Sequence, residues 1–257
     1  MTGSTTAPRA PRADCVADPA GGLTFHTTGH DPAASDLVLR RTGPGAADEV
    51  RLPLTPAGDG RSRAVLPPGL DLAEGRWDVL LGDRPVEPGV RDVRALVDRR
   101  PEPSGPVAPR VPFPTPEGRL GVRAWLRPRH AEAGDITFGD AGCTVTGVLY
   151  GVGFGAGATA EARSDDQVHE VPAEGGKGTF AFTLPYAPLA LPPLEGRRMW
   201  RLWLRPAAGA DAVRIARVLD DVWDRRNVFV YPEHRGEGYR AAPCYTGENE
   251  LCVRVTP

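Results

Sequence analysis

Short apolar runs with alternating polar positions recur along the chain, broken by Gly or Pro at intervals of about 8–12 residues. They predict strands over residues 23–27, 36–40, 49–54, 63–66, 76–81 and 90–97. Further strands are predicted over 119–127, 135–138, 143–150, 159–163, 178–184, 199–205, 212–219, 228–231 and 250–255. Windows 90–97 and 212–223 also fit helical turns. Successive side chains of a strand point to opposite faces, so a period-two pattern broken this often implies an all-β fold.

The runs fall into two blocks. Residues 1–22 carry too little apolar surface to offset the entropy of ordering, which predicts a disordered tail. A first β-sandwich is expected over 23–100 and a second over 119–257. Between them, at 101–118, lies a stretch with seven prolines from Pro101 to Pro116, which reads as an extended linker. The blocks echo one another: Leu23-Thr-Phe25 matches Ile136-Thr-Phe138, and Glu74-Gly-Arg-Trp77 matches Glu195-Gly-Arg-Arg-Met-Trp200. The expected architecture is two tandem immunoglobulin-like β-sandwich domains joined by a Pro-rich linker.

Composition sharpens this only in part. The 28 Pro and 31 Gly disfavour long helices. Positive charge is almost all Arg, Lys177 being the single Lys, and 31 basic residues face 33 acidic ones. Basic and acidic residues alternate along the chain, which argues against a nucleic-acid partner. This Arg, Ala, Gly and Pro usage resembles that of a GC-rich, actinobacterial genome. Residues 1–20 hold no apolar run of the kind a signal peptide needs, and no stretch approaches the roughly 20 apolar residues of a membrane span.

Catalytic motifs are missing. There is no G-x-S-x-G, no S-x-x-K, and no Cys placed beside a His, so no catalytic residue is assigned. His26, His30, His130, His169 and His234 lack metal-ligand spacing, and Cys15, Cys143, Cys244 and Cys252 read as buried thiols, so neither metal nor cofactor is expected. The glycines from Gly151 to Gly157 fall at every second residue. They lead into a strand pattern where a phosphate loop would need a helix, and so read as a loop. Asp165-Asp166, and Asp220-Asp221 with Asp224, read as solvated or salt-bridged acids, the latter facing Arg225 and Arg226.

The strongest motif is a duplicated hexapeptide, Arg-x-Trp-Leu-Arg-Pro, at 123–128 and 201–206. In extended chains, Val122 and Leu126, and Leu202 and Leu204, would face inward. That leaves Arg123, Trp125 and Arg127, and Arg201, Trp203 and Arg205, as the predicted ligand-binding stripe. An indole stacks on the apolar face of a sugar, and guanidinium groups bind phosphate in bidentate fashion. The competing readings are a cation–π ladder worth about 0.5–1 kcal/mol, or tryptophans packed between the two blocks.

The segments Gly118–Pro128, Leu184-Pro-Tyr186, Trp203–Pro206 and Arg217–Pro232 resemble β-sandwich regions associated with actinobacterial cell-wall glycopolymer transferases. The resemblance covers about half of the chain and carries no catalytic motif. It implies a non-catalytic accessory protein that binds an anionic glycan or a glycosyltransferase; with no signal-peptide run and no apolar span, the expected location is cytoplasmic, at the inner face of the membrane through such a partner. Two other classes stay open: a cyclase-like enzyme of a natural-product pathway, working in an apolar cavity within a β scaffold, and a structural adaptor.

Overall fold

A computed structural model of the chain describes residues 10–29, 34–43, 47–97, 99, 101–165, 167–191 and 194–257. Among them the fold is all-β, with two 3-10 turns, Arg94–Leu96 and Ala187–Ala190, as the helical elements. No helix of the described residues is long and apolar enough to cross a membrane. The chain divides into two compact units: Met1–Arg99 with Ala108–Leu126, and Arg100–Val107 with Arg127–Pro257.

The first unit holds β1 (Arg12–Ala17), β2 (Leu23–Thr28), β3 (Asp36–Thr42), β4 (Glu49–Pro53), β5 (Thr55–Gly58) and β6 (Arg61–Leu66). It continues with β7 (Gly75–Leu81), β8 (Arg84–Pro85), β9 (Glu87–Asp92), β10 (Arg110–Pro114) and β11 (Leu120–Ala124). One sheet runs β5-β6-β2-β1-β9, the other β10-β11-β7-β3-β4 with β8 on β7. Their buried positions follow the strand period: Ala13, Cys15 and Ala17 on β1, Leu23 and Phe25 on β2, Trp77 and Val79 on β7. Trp77 donates its indole N–H to Ala73 O at 3.1 Å.

Three expectations are corrected here. Residues 1–9 of the expected disordered tail lie outside the described residues, but Arg12–Ala17 form β1, paired with β2 and, in parallel, with β9. Its inward alternation is carried by Ala and Cys, which add little hydrophobicity. The expected Pro-rich linker is a spacer only in part, because Arg110–Pro114 is strand β10 on β11. Prolines are tolerated there because β10 is an edge. Trp125 N donates to Pro109 O at 3.1 Å, so by alternation Val111 and Phe113 turn their amides toward β11, and Pro112 and Pro114 fill positions whose amides would point off the sheet. The expected second block also starts too early, since Leu120–Ala124 pairs with β7 inside the first unit.

The second unit holds β12 (His130–Phe138), β13 (Gly142–Tyr150), β14 (Thr159–Ser164), β15 (Gln167–Pro172), β16 (Glu174–Gly176) and β17 (Thr179–Pro185). After these come β18 (Arg198–Arg205), β19 (Val213–Ala216), β20 (His234–Gly236), β21 (Tyr239–Tyr245) and β22 (Leu251–Thr256). The path β16-β17-β13-β12-β19-β18-β22-β21-β20 forms one continuous sheet, with β14 on β18 and β15 on β14. Residues 228–231, expected as a strand, are irregular, and Val230 is exposed. The core gathers Val145, Phe180, Phe182, Trp200, Leu202, Leu204, Ile215 and Val253. Trp200 donates its indole N–H to Leu189 O at 3.0 Å, as Trp77 does to Ala73 O in the first unit.

All four cysteines are free thiols. Burial pushes the Cys15 thiol up to about 12 and raises those of Cys143, Cys244 and Cys252. Burial likewise raises the Tyr186 and Tyr245 hydroxyls. The folded chain therefore keeps protons that the unfolded chain releases above the ordinary thiol value of 9.0. Stability is greatest below pH 9 and falls above it, Cys15 alone contributing about 1.4 kcal/mol per pH unit until about pH 12 and the other thiols adding in the same direction. Arg225, depressed by burial to about 10, acts in the opposite sense only above pH 10. Urea midpoints should be level from pH 7.5 to 8.5 and drop by pH 10, with a shallower drop in Cys15→Ala. A level profile to pH 10 would contradict this.

Candidate binding face

The two copies of the hexapeptide have different fates. In the first, strand β11 stops at Ala124. Arg123 is 3%, Trp125 1% and Arg127 9% exposed, so the expectation that this stripe faces solvent is overturned. Trp125 follows the end of β11 rather than lying on it, and Arg123 lies over its ring at 5.1 Å. The motif also straddles the two units, Arg123 and Trp125 belonging to the first and Arg127 to the second. An indole so enclosed offers no face to a ligand arriving from water.

In the second copy the expected alternation is seen. Along β18, Trp200, Leu202 and Leu204 are buried, while Arg201 is exposed and Trp203 and Arg205 are half-buried on the opposite face. Neighbouring strands add what the sequence alone left out. From β14, Glu161 stands opposite Trp203 and Arg163 opposite Arg201. From β19, Arg214 stands opposite Trp203. From β22, Arg254 stands opposite Met199 and so shares the face.

Glu161 is buried beneath this surface. Its carboxylate accepts from Arg163 Nε at 2.7 Å and from Arg205 Nε at 2.8 Å. Glu250, also buried, pairs with Arg214 and lies 3.9 Å from Arg201. Trp203 is flanked from its two neighbouring strands by Arg163, 4.5 Å from the ring centroid, and Arg214, at 5.5 Å. The cation–π ladder is thus present in this copy, so the indole is already stacked by protein cations. What reaches solvent is mainly guanidinium: the Arg201 and Arg214 side chains are 64% and 52% exposed.

Arg163, Arg201, Arg205, Arg214 and Arg254 share this face with buried Glu161 and Glu250 and, on the outer strand, Glu170 opposite Glu161. Arginines directly opposite each other, as Arg163 and Arg201 are, repel unless an anion intervenes. At one end the face opens into a groove of about 600 Å³ that includes Ser164, Arg197, Arg198 and Arg201, with Asp165 and Glu195 on its walls. Arg198 Nη1 donates to Gln167 Oε1 at 3.2 Å. Among the described residues neither Arg197 nor Arg198 pairs with a carboxylate.

No protein-family model matches this chain, and no curated protein does either. Its solved-structure likenesses are weak. Residues 217–571 of S. aureus TarS align at a TM-score of 0.27 and 13% identity, over 69% of this chain and 56% of that one. Another structure of S. aureus TarS gives 0.26 and 11%, over 68% and 35%. A pullulanase from Anoxybacillus sp. LM18-11, complexed with maltotetraose, gives 0.25 and 11%, over 83% and 23%. The chain thus spans about half of the TarS fragment and less of the others.

The remaining sequence motifs take structural places. Asp220 binds Arg225 and lies 3.4 Å from Arg217, and Asp224 binds Arg226. Of the Asp165-Asp166 pair, Asp166 lies outside the described residues, as does His30. The glycine run from Gly151 is a loop whose Val152 and Phe154 pack on the core, while Gly155 N donates to Pro206 O at 2.8 Å. Gly151 itself has φ 67°, and a Cβ there would meet Pro128 O at 1.9 Å. Backbone geometry therefore requires glycine at that position, with no phosphate involved.

Residues 217–229 are tied down by a denser, partly buried polar network. Glu132 accepts from Val218 N at 3.0 Å, from Leu219 N at 3.0 Å and from His130 Nε2 at 2.6 Å. Fully buried Arg225 donates Nε to Arg217 O at 3.0 Å and lies over Phe229 and Tyr245 at 4.8 and 5.5 Å. These groups fasten the segment rather than open a site.

Proposed function

We propose that this protein is a non-catalytic, all-β accessory module that binds an anionic cell-wall glycopolymer through the outward face of β18. The observation that carries the reading is the arginine surface built from β14, β18, β19 and β22 over two buried carboxylates. Glu161 and Glu250 hold the guanidinium groups in place from below and leave their outer N–H donors for phosphate oxygens, which Arg binds in a bidentate fork. Trp203 acts as a spacer stacked by Arg163 and Arg214, and the ligand-binding residues are Arg201, Arg214 and Arg254, with Arg163 and Arg205 beside them. The groove volumes suit an open polymer track better than an enclosed reaction chamber.

The test is calorimetry of the full chain against a poly(glycerol phosphate) and an uncharged glucan. The phosphate polymer should bind and weaken as salt rises, while the glucan should not. Arg201→Gln with Arg254→Gln, which spares the Glu161 network, should cut affinity about tenfold or more, as expected for losing charge-assisted contacts. Equal affinity in the double variant, or no binding at low salt, would overturn the reading.

A further inference from the structure

The first unit carries a second basic concavity on the outward face of its β1-β2-β6 sheet. We infer that it is a binding site for a small phosphate group, the phosphate of a monoester or free orthophosphate. It goes beyond the glycopolymer reading and does not depend on it. The cleft has a volume of about 350 Å³, and its lining includes Arg12, Asp14, His26, Thr28 and Arg61.

Strand pairing explains why these side chains converge. Ala13, Cys15, Phe25, Thr27 and Ala64 fill the inward positions, so residues 12, 14, 26, 28 and 61 point the other way. Arg12 stands opposite Thr28, and Asp14 opposite His26. Arg61 opens β6 just before Ser62, the partner of Thr27, which sets Thr28 between two arginines. Asp14 is already engaged: Oδ1 accepts from Val90 N at 2.8 Å, and Oδ2 lies 3.9 Å from Arg61. Among the described residues Arg12 pairs with no carboxylate.

The donor set selects the ligand. Two guanidinium groups, a hydroxyl and an imidazole arrive from three adjacent strands, so they address several oxygens from different directions. A carboxylate presents two coplanar oxygens, whereas a phosphate monoester presents three around a tetrahedral centre. A metal cation is disfavoured by the paired guanidinium groups. The roughly 350 Å³ of space admits a phosphate with a small organic substituent but not a folded polymer segment.

The experiment is calorimetric titration of the full chain with inorganic phosphate and with glycerol phosphate, for wild type and three variants. Wild type should bind one equivalent of each. Arg12→Gln with Arg61→Gln should lose at least about tenfold, and Thr28→Val should weaken binding more modestly. Arg201→Gln with Arg254→Gln, on the separate β18 face, should keep the saturable one-equivalent event that the Arg12/Arg61 variant loses, whatever weaker binding that face itself contributes. Circular dichroism checks that each variant is folded, as both arginines are exposed. Absence of saturable binding, unchanged affinity in the Arg12/Arg61 variant, or loss only in the Arg201/Arg254 variant would overturn the inference.

Discussion

Trp200→Ala should lower the stability of the second unit by about 3–5 kcal/mol, the range for truncating a buried aromatic side chain. Trp200 is 2% exposed in a core with Leu202, Leu204, Phe180 and Val253. It is among the largest side chains there, and β strands held by ladder pairing on both flanks cannot collapse to fill the void. A second loss is polar: Leu189 O, at the 3-10 turn Ala187–Ala190, loses its indole donor. Trp200→Phe keeps much of the volume but not that donor, and should cost about 1–3 kcal/mol, chiefly the polar share. With denaturant slopes of about 2–3 kcal/mol/M, the alanine variant should lose about 1–2.5 M in urea midpoint by circular dichroism. A shift below 0.3 M or so would show that the site relaxes around the missing ring.

Glu132→Ala should also be damaging, about 2–4 kcal/mol, because it removes one half-buried acceptor that several buried donors share. One carboxylate satisfies the amides of Val218 and Leu219 and the ring of His130, which is itself fully buried. Alanine leaves those donors dry, at roughly 1–3 kcal/mol each. Glu132→Gln retains one acceptor oxygen but turns an amide NH2 toward donors, so it should recover only part of the loss. Hydrogen exchange provides the specific check: the Val218 and Leu219 amides should lose protection in Glu132→Ala while β13–β17 amides keep theirs. Uniform loss across both groups would mean that the network is not local.

How much of this was legible in the sequence depends on where each pattern gets its strength. Strands such as β2, β7, β13 and β18 alternate large apolar with polar residues, and each matches a predicted run. β1 was hidden because its inward positions are Ala13, Cys15 and Ala17. β10 was hidden because prolines mark a linker unless one knows that the strand will lie at an edge. The hexapeptide shows the limit most sharply. The two copies agree at five of six positions, yet Trp125 is enclosed and Trp203 is partly open, since burial depends on what the neighbouring strands bring across. Arg163, Glu161, Arg214 and Glu250, which make the β18 face what it is, come from separate strands, and no spacing within the chain brings them together. The tandem immunoglobulin-like relation remains a proposal, supported by the like settings of Trp77 and Trp200.

Pro112 and Pro114 carry a further consequence for behaviour at high concentration. An open margin of sheet invites a neighbouring molecule to zip on, amide to carbonyl, and so to seed fibrils. On β10 two of the three outward positions, 112 and 114, carry ring carbons where such zipping would use an amide, which leaves Arg110 as the one outward donor and blunts this rim of the first unit.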